Sequence, residues 1–481
     1  MTERGGHPAH PGTDAGVDPA GLHADSAELS HALRTRHLTM MGLGSAIGAG
    51  LFLGTGVGIR TAGPAVLVSY VAAAVIVVLV MRMLGEMGAA MPASGSFASY
   101  TGEAFGRHAR FVVGWLYWFM LIMVMGAEIT GASAIMSAWF GVEPWIPALV
   151  CMVAFAVVNL ARVRAFGEFE FWFAIIKVVV IVAFLVLGAL LVFGLLPGHS
   201  FVGTENLLGH GGFMPTGWAG VAAGLLAVAF AFGGIEIVTI AAAESEDPVR
   251  NIGAAIRSVL WRISVFYLGS VVVIVTLLPW DEQGGAESAA ESPFAAVLRL
   301  ADIPYVVGFL EAVIVLALLS SFNAQIYGTS RMAYSLAVQG DGPRVLTRTN
   351  AGHTPSVAVW VSVFFGFVSV ALQWWSPEGL LTFLLNAVGA ILLVVWMAIA
   401  LSQIRLRPRL EAEGRLTLRM WGHPWLSWLT VALIVALGAL MCTDADARVQ
   451  IASALAVVLV LVVLSVVNAA VHRDRGPAAR A

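Results

Sequence analysis

Lys177 is the only lysine in a chain with twenty-five arginines, and it sits inside an apolar stretch. Between Phe171 and Leu196 no other charge appears. A lysine facing lipid costs roughly 2.5–3.5 kcal/mol on insertion scales. Chains keep such a group where it faces a bundle interior or a wet cavity. Burial disfavours the charged form of an amine, which suits it to taking up and releasing a proton. The plainer alternative is snorkelling, with the ammonium reaching back toward Glu170, seven residues and about two turns away. Two carboxylates join this lysine in apolar surroundings: Glu128, within Gly126–Thr130, and Glu236, just after Gly233 and Gly234. Intramembrane carboxylates are functional candidates by default. For Glu236 the alternative is a bond to peptide N–H groups freed nearby.

Glycines mark where the backbone itself is offered for binding. Gly42, Gly44, Gly48 and Gly50 fall within nine residues of the first apolar run. The sixth run carries Phe230, Ala231, Phe232, Gly233, Gly234 and Ile235. Each glycine disfavours a helix interior by up to about 1 kcal/mol relative to alanine. Both stretches therefore read as unwound. Unwound backbone at membrane depth is tolerated where it lines a cavity or is buried in protein. Half-helix N-termini offer N–H groups to a carboxylate, and half-helix C-termini offer carbonyls to an ammonium. A ligand bearing both groups, such as an amino acid, fits the pair of breaks. Close helix packing through small residues is the alternative use of these glycines.

These groups need a membrane-spanning frame to hold them. Hydrophobic residues make up 59% of the chain and charged residues 11%, with a mean hydropathy of +0.88. Soluble domains carry nearer a quarter charged residues. A hydrocarbon core about 30 Å thick needs about 20 apolar residues per helix, and runs of that kind number twelve. The predicted fold is an all-α polytopic membrane protein. The first and sixth spans each open a block of five, so the second block is inverted relative to the first, the layout in which paired breaks mark a midplane site. Predicted boundaries are a disordered cytoplasmic tail over 1–32 and a transmembrane region over 33–471. Within it, repeat one covers about 39–196, repeat two about 218–404, and two extra helices about 424–471. A short cytoplasmic tail covers 472–481.

Placing the N-terminus inside puts twenty arginines on cytoplasmic connections and only Arg60, Arg299 and Arg448 outside. The positive-inside rule therefore sets both termini in the cytoplasm. Arg82 and Glu86, four apart on the second span, read as an i,i+4 ion pair. Ser320 and Ser321 could line a cation site. Asn323, Gln325 and Asn386 either touch ligand or bond between helices. Cys151 and Cys442 lie in apolar runs and read as core residues. The histidines of the N-terminal tail are irregularly spaced, so no metal site and no cofactor is expected.

Several stretches resemble one family. These are LRTRHLTMMGLGSAIGAGLFLGTG (Leu33–Gly56), AGPAVLVSY (Ala62–Tyr70), FGEFEFWFAIIK (Phe166–Lys177), GGIEIVTIAAAESEDP (Gly233–Pro248) and SRMAYSLAVQGDGP (Ser330–Pro343). Together they resemble the amino acid transporter family of the amino acid–polyamine–organocation superfamily. EIVTIAAAES, SVLWRISVFY and the region from Ala400 to Leu429 look most like bacterial 4-aminobutyrate permeases. The glycine-rich segments of spans one and six, and span eight, look more like neutral, proline or aromatic amino acid permeases.

The resemblance implies a five-plus-five inverted repeat with two further helices. It places the substrate carboxylate at Ser45, Ala46, Ile47, Gly48, Ala49 and Gly50. The amino group goes near Phe230, Ala231, Phe232, Gly233 and Ile235, with Phe230 as a gating aromatic. Lys177 falls where proton-coupled relatives hold a lysine, and Glu128 is the second candidate for proton coupling. Sodium-coupled relatives hold a metal ion at the lysine position instead.

The function expected is secondary active import of 4-aminobutyrate or a small neutral amino acid by proton symport in a bacterial plasma membrane. Permeation of proline, aromatic or other neutral amino acids is the alternative, as is sodium-coupled or exchange transport. A sensor or channel on the same fold is more remote, since no ring of pore residues appears. The partners expected are the amino acid, a proton and the bilayer, with no nucleic acid and no obligate protein partner. No nucleotide motif or nucleophile–base arrangement points to an enzyme.

Overall fold

A computed structural model describes residues 47–91, 96–160, 163–233, 263–282, 292–350, 354–376 and 379–474. These residues form an all-helical bundle. A π-helical turn at Gly50–Gly54 leads into α1 (Thr55–Ala62). Then follow α2 (Val66–Ala90), α3 (Ser96–Phe105), α4 (Arg107–Phe140), α5 (Trp145–Leu160), α6 (Val163–Val192) and α7 (Gly217–Ala231). After a second π-helical turn at Ile263–Leu268 come α8 (Gly269–Leu277), α9 (Pro293–Leu300), α10 (Val306–Val338) and α11 (Ser356–Trp375). The last three are α12 (Leu380–Ala412), α13 (Trp425–Met441) and α14 (Ala445–Asp474).

Seven helical runs among the described residues are long and apolar enough to cross a bilayer, and four shorter apolar helices accompany them. The first of the seven, Gly50–Ala90, holds two of the predicted spans. It turns back at Gly63, whose φ of 64° and ψ of −153° suit a residue without Cβ. The hydroxyls of Thr55 and Tyr70 lie 2.8 Å apart. In one straight helix fifteen residues would separate them by about 22 Å, so α1 and α2 form a hairpin.

Burial separates centre from periphery. The most apolar window of α4 is 83% buried, against 11% for that of α14. Accordingly α4 packs along α10 and α12 at the centre, and α14 lies outside against α4 and α12. α7 packs on α1, α2 and α12. Its fifteen residues reach about 23 Å, short of the roughly 30 Å hydrocarbon core. The helix ends in the turn at Phe232–Gly233.

Two ionic clusters, each built on a buried carboxylate, fasten the helix ends that the arginine pattern assigns to the cytoplasm. At the start of α4, Arg107 Nε and Arg110 Nε donate to the fully buried Asp341 carboxylate at 3.0 and 2.5 Å. Their other nitrogens donate to the carbonyls of Gly340 and Gln339, and Trp115 Nε1 donates to the Asp341 carbonyl at 2.8 Å. This pins α4 to the turn that follows α10.

The second cluster corrects the expected Arg82–Glu86 pair. The Glu86 carboxylate is fully buried and accepts from Gln403 Nε2 at 2.6 Å, Arg407 Nη1 at 2.5 Å and the Met420 N–H at 2.5 Å. Arg82 instead donates Nε to the Arg419 carbonyl at 2.9 Å and stacks on the Trp421 ring at 4.8 Å. A buried carboxylate needs a buried partner, and α12 supplies one in Arg407, whereas Arg82 is only half-buried.

Candidate substrate site

The first break begins at the edge of the described residues. Ile47 and Gly48 are not helical, and the N–H groups of Leu51 and Phe52 both reach the Gly48 carbonyl at 3.2 Å. The Ala49 N–H, freed from the ladder, donates to Glu128 Oε2 at 3.0 Å. Ser321 Oγ donates to Glu128 Oε1 at 2.9 Å. One carboxylate on α4 thus joins the break before α1 to the middle of α10. Lys177 on α6 is fully buried, so it faces protein rather than lipid. It lies close enough to act electrostatically on Glu128.

Glycine at 48 and at 50 has distinct causes. A Cβ at Gly48 would fall on Glu128 Oε1, and one at Gly50 would sit 2.5 Å from the Ala231 Cα. Gly48 makes room for the carboxylate. Gly50 lets the two interrupted spans touch backbone to backbone, the packing use of a small residue.

The second break follows α7. The Phe232 N–H bonds to the Ala229 carbonyl at 3.1 Å and the Gly233 N–H to the Phe230 carbonyl at 2.8 Å, closing a tight turn. A carbonyl has two lone pairs, and the Gly233 N–H takes one of those on Phe230 O. Phe232 is buried away from the break, its ring 6.0 Å from Tyr70 and 5.1 Å from Tyr267. It serves the core.

Between the breaks lies a cavity of about 10 Å³ lined by Gly50, Val124, Glu128, Phe230, Ala231, Gly233, Ser321 and Gln325. That volume admits about one water. An amino acid enters only if the bundle widens. Of the residues expected at the site, Gly50, Phe230, Ala231, Gly233 and Glu128 line this cavity, and Ile47, Gly48, Ala49, Phe232 and Lys177 do not. Ser45, Ala46, Ile235 and Glu236 lie outside the described residues. Val124 was not legible as a site residue, although it stands one turn before Glu128, and Gln325 stands one turn after Ser321. Each pair shares a helix face through its i,i+4 spacing. Asn323 turns the other way and accepts from Asn159 Nδ2 at 2.6 Å. It bonds helix to helix.

A multi-pass helical bundle with a polar cavity between the turn ahead of α1 and the end of α7 has the build of a membrane transporter for small solutes. Residues 37–476 match the model of the amino acid permease family, and the chain belongs to that family. It is 64% identical over 452 residues to the aromatic amino acid transport protein AroP of Corynebacterium glutamicum, covering 93% of this chain and 98% of that protein. It is 43% identical over 416 residues to the gamma-aminobutyric acid permease of Escherichia coli, covering 86% and 89%. Among solved structures it resembles the manganese transporter of Eremococcus coleocola, with a TM-score of 0.55, 13% identity and coverage of 91% and 94%. At that identity the likeness speaks of the fold alone. The chain is thus a multi-pass amino acid permease and not an enzyme.

Proposed function

We propose that this permease imports an aromatic amino acid across the bacterial plasma membrane by proton symport, with both termini cytoplasmic. The observation that carries the substrate is the 64% identity, over nearly the whole length of both chains, to a protein named for aromatic amino acid transport. The same measure gives 43% for a 4-aminobutyrate permease. The apolar side chains of Val124, Phe230 and Ala231 at the cavity accord with an apolar substrate side chain. 4-Aminobutyrate or a small neutral amino acid is the second reading, favoured by the stretches around Glu236–Ser245 and Ala400–Leu429.

The unit that does this runs from about residue 33 to 471, as two inverted five-helix repeats and two further helices. The substrate carboxylate takes the Ala49 N–H and its neighbours at the first break. The ammonium takes carbonyls at the second, near Phe230. Glu128 is the proton site. Ionised, its Oε2 occupies the Ala49 N–H. Protonated, it loses charge and acceptor strength, and the N–H passes to the substrate. Proton and substrate then arrive together, and the buried charge of Lys177 balances the carboxylate on the empty return. A proton biases the outward- and inward-facing forms only by its differential free energy between them.

The test is uptake of labelled phenylalanine into proteoliposomes with an alkaline interior and no sodium, challenged by a panel of unlabelled amino acids. Accumulation inhibited by tryptophan and tyrosine is the expected result. Preferential inhibition by 4-aminobutyrate selects the second reading. Accumulation that needs sodium and ignores the pH gradient overturns the proton coupling and returns attention to Ser320 and Ser321.

A further inference from the structure

Gln325 lines the cavity and is 1% exposed. Its Oε1 meets no hydrogen-bond donor among the described residues. Native proteins keep few such buried acceptors, and each calls for an explanation. The other polar side chains of the cavity are occupied with each other: Ser321 donates to Glu128, and Glu128 also takes the Ala49 N–H. The side chains of Val124, Phe230 and Ala231 carry no donor. Among the described residues, the amide is therefore the one polar side chain of the cavity not used by its neighbours.

The two helix breaks supply the backbone groups that suit the carboxylate and ammonium of an amino acid. Gln325 offers its amide to the same cavity from a third element, α10, one turn beyond Ser321. What remains of the substrate for it to meet is the side chain. We infer that Gln325 reads the side chain of the transported amino acid, its Oε1 accepting a hydrogen bond from an indole N–H or a phenol O–H. This rests on the aromatic reading of the substrate. It adds that tryptophan and tyrosine are distinguished from analogues of equal shape that lack the donor. A site with a buried polar group left unpaired by the wrong ligand discriminates more sharply than an apolar pocket does.

The experiment compares tryptophan with β-(3-benzothienyl)alanine, in which sulfur replaces the indole N–H at nearly constant shape. Each competes against labelled phenylalanine uptake in proteoliposomes of wild type and Gln325→Met. The expected wild-type preference for tryptophan is about three- to tenfold, the worth of one hydrogen bond, and it collapses toward one in Gln325→Met. Tyrosine against phenylalanine gives a second ratio that should behave alike. Equal inhibition by tryptophan and its thienyl analogue in wild type overturns the inference, and needs no variant to fold. A preference that survives Gln325→Met also overturns it and assigns the donor to another group. Wild-type uptake blind to every aromatic amino acid overturns the aromatic reading itself, and is distinguished by the wild-type arm alone.

Discussion

Glu128 Oε2 accepts the Ala49 N–H at 3.0 Å, across 79 positions of sequence, so a carboxylate of α4 holds the backbone just ahead of α1. Glu128→Gln keeps one acceptor oxygen but cannot release and regain a proton. Accumulation driven by a pH gradient should fall at least about tenfold, as expected when a positioned proton site is removed. Counterflow exchange, which needs no net proton movement, should persist. Lys177→Met should show the same split, with substrate binding kept by ligand-induced thermal shift and accumulation lost. Either variant accumulating substrate at the wild-type rate places the coupling elsewhere.

The two glycines of the first break should part company. Gly50→Ala drives a Cβ against the Ala231 backbone, which cannot move as a side-chain end can. Overpacking of this kind costs about 1–3 kcal/mol and should lower the Tm in detergent. Gly48→Ala meets only the tip of Glu128. It should leave the Tm nearer wild type but displace the carboxylate from Ala49 and impair proton-driven uptake. A Gly50→Ala protein with unchanged Tm would show that the turn ahead of α1 and the end of α7 do not meet as closely as 2.5 Å from that Cβ implies.

Glu86 and Arg407 form an ion pair at 2.5 Å, with side-chain exposures of 0% and 8%. Removing one partner of such a pair leaves an uncompensated buried charge, at about 3–5 kcal/mol. Arg407→Met should therefore reduce the yield of folded protein by size-exclusion chromatography, and Glu86→Gln/Arg407→Met should recover much of it. Arg82→Met, which leaves the Glu86 carboxylate its three donors, should be milder than Arg407→Met. The reverse order would restore the local Arg82–Glu86 pairing.

His199 tethers the connection after α6. Its Nε2 lies 2.7 Å from the Leu300 carbonyl and its Nδ1 3.1 Å from the Pro197 carbonyl. Only the doubly protonated ring donates to both, so these bonds, Leu300 first and Pro197 second, raise its pKa above the ordinary 6.5. A folded pKa above the unfolded one contributes stability in full below the unfolded value and loses it as pH rises through the folded value. Amides around Val202 should exchange hydrogen faster at about pH 8.5 than at about pH 5.5 after correction for intrinsic rates, the span over which a histidine switches. His199→Gln should remove that difference.

The sequence alone determined the membrane class and the all-helical fold, and it marked two glycine-rich stretches as places of expected unwinding. Run length and glycine content are local properties, and lipid leaves a backbone few options but a helix. It also marked Lys177 and Glu128, because an ionisable group in an apolar run is conspicuous without any partner in view. Partners were another matter. Glu86 has Arg82 one turn away in sequence, yet it bonds Arg407, 321 positions distant. Gly50 invited a reading as an opening for ligand, yet its missing Cβ first admits the Ala231 backbone. Ser321 and Gln325 share a helix face, but only the packing of α10 on α4 bonds Ser321 to Glu128 and leaves the amide oxygen without a donor. A side chain on a helix can turn toward several neighbours. Which it meets is decided by desolvation and fit among helices far apart in the chain, and these exist only once the bundle has closed.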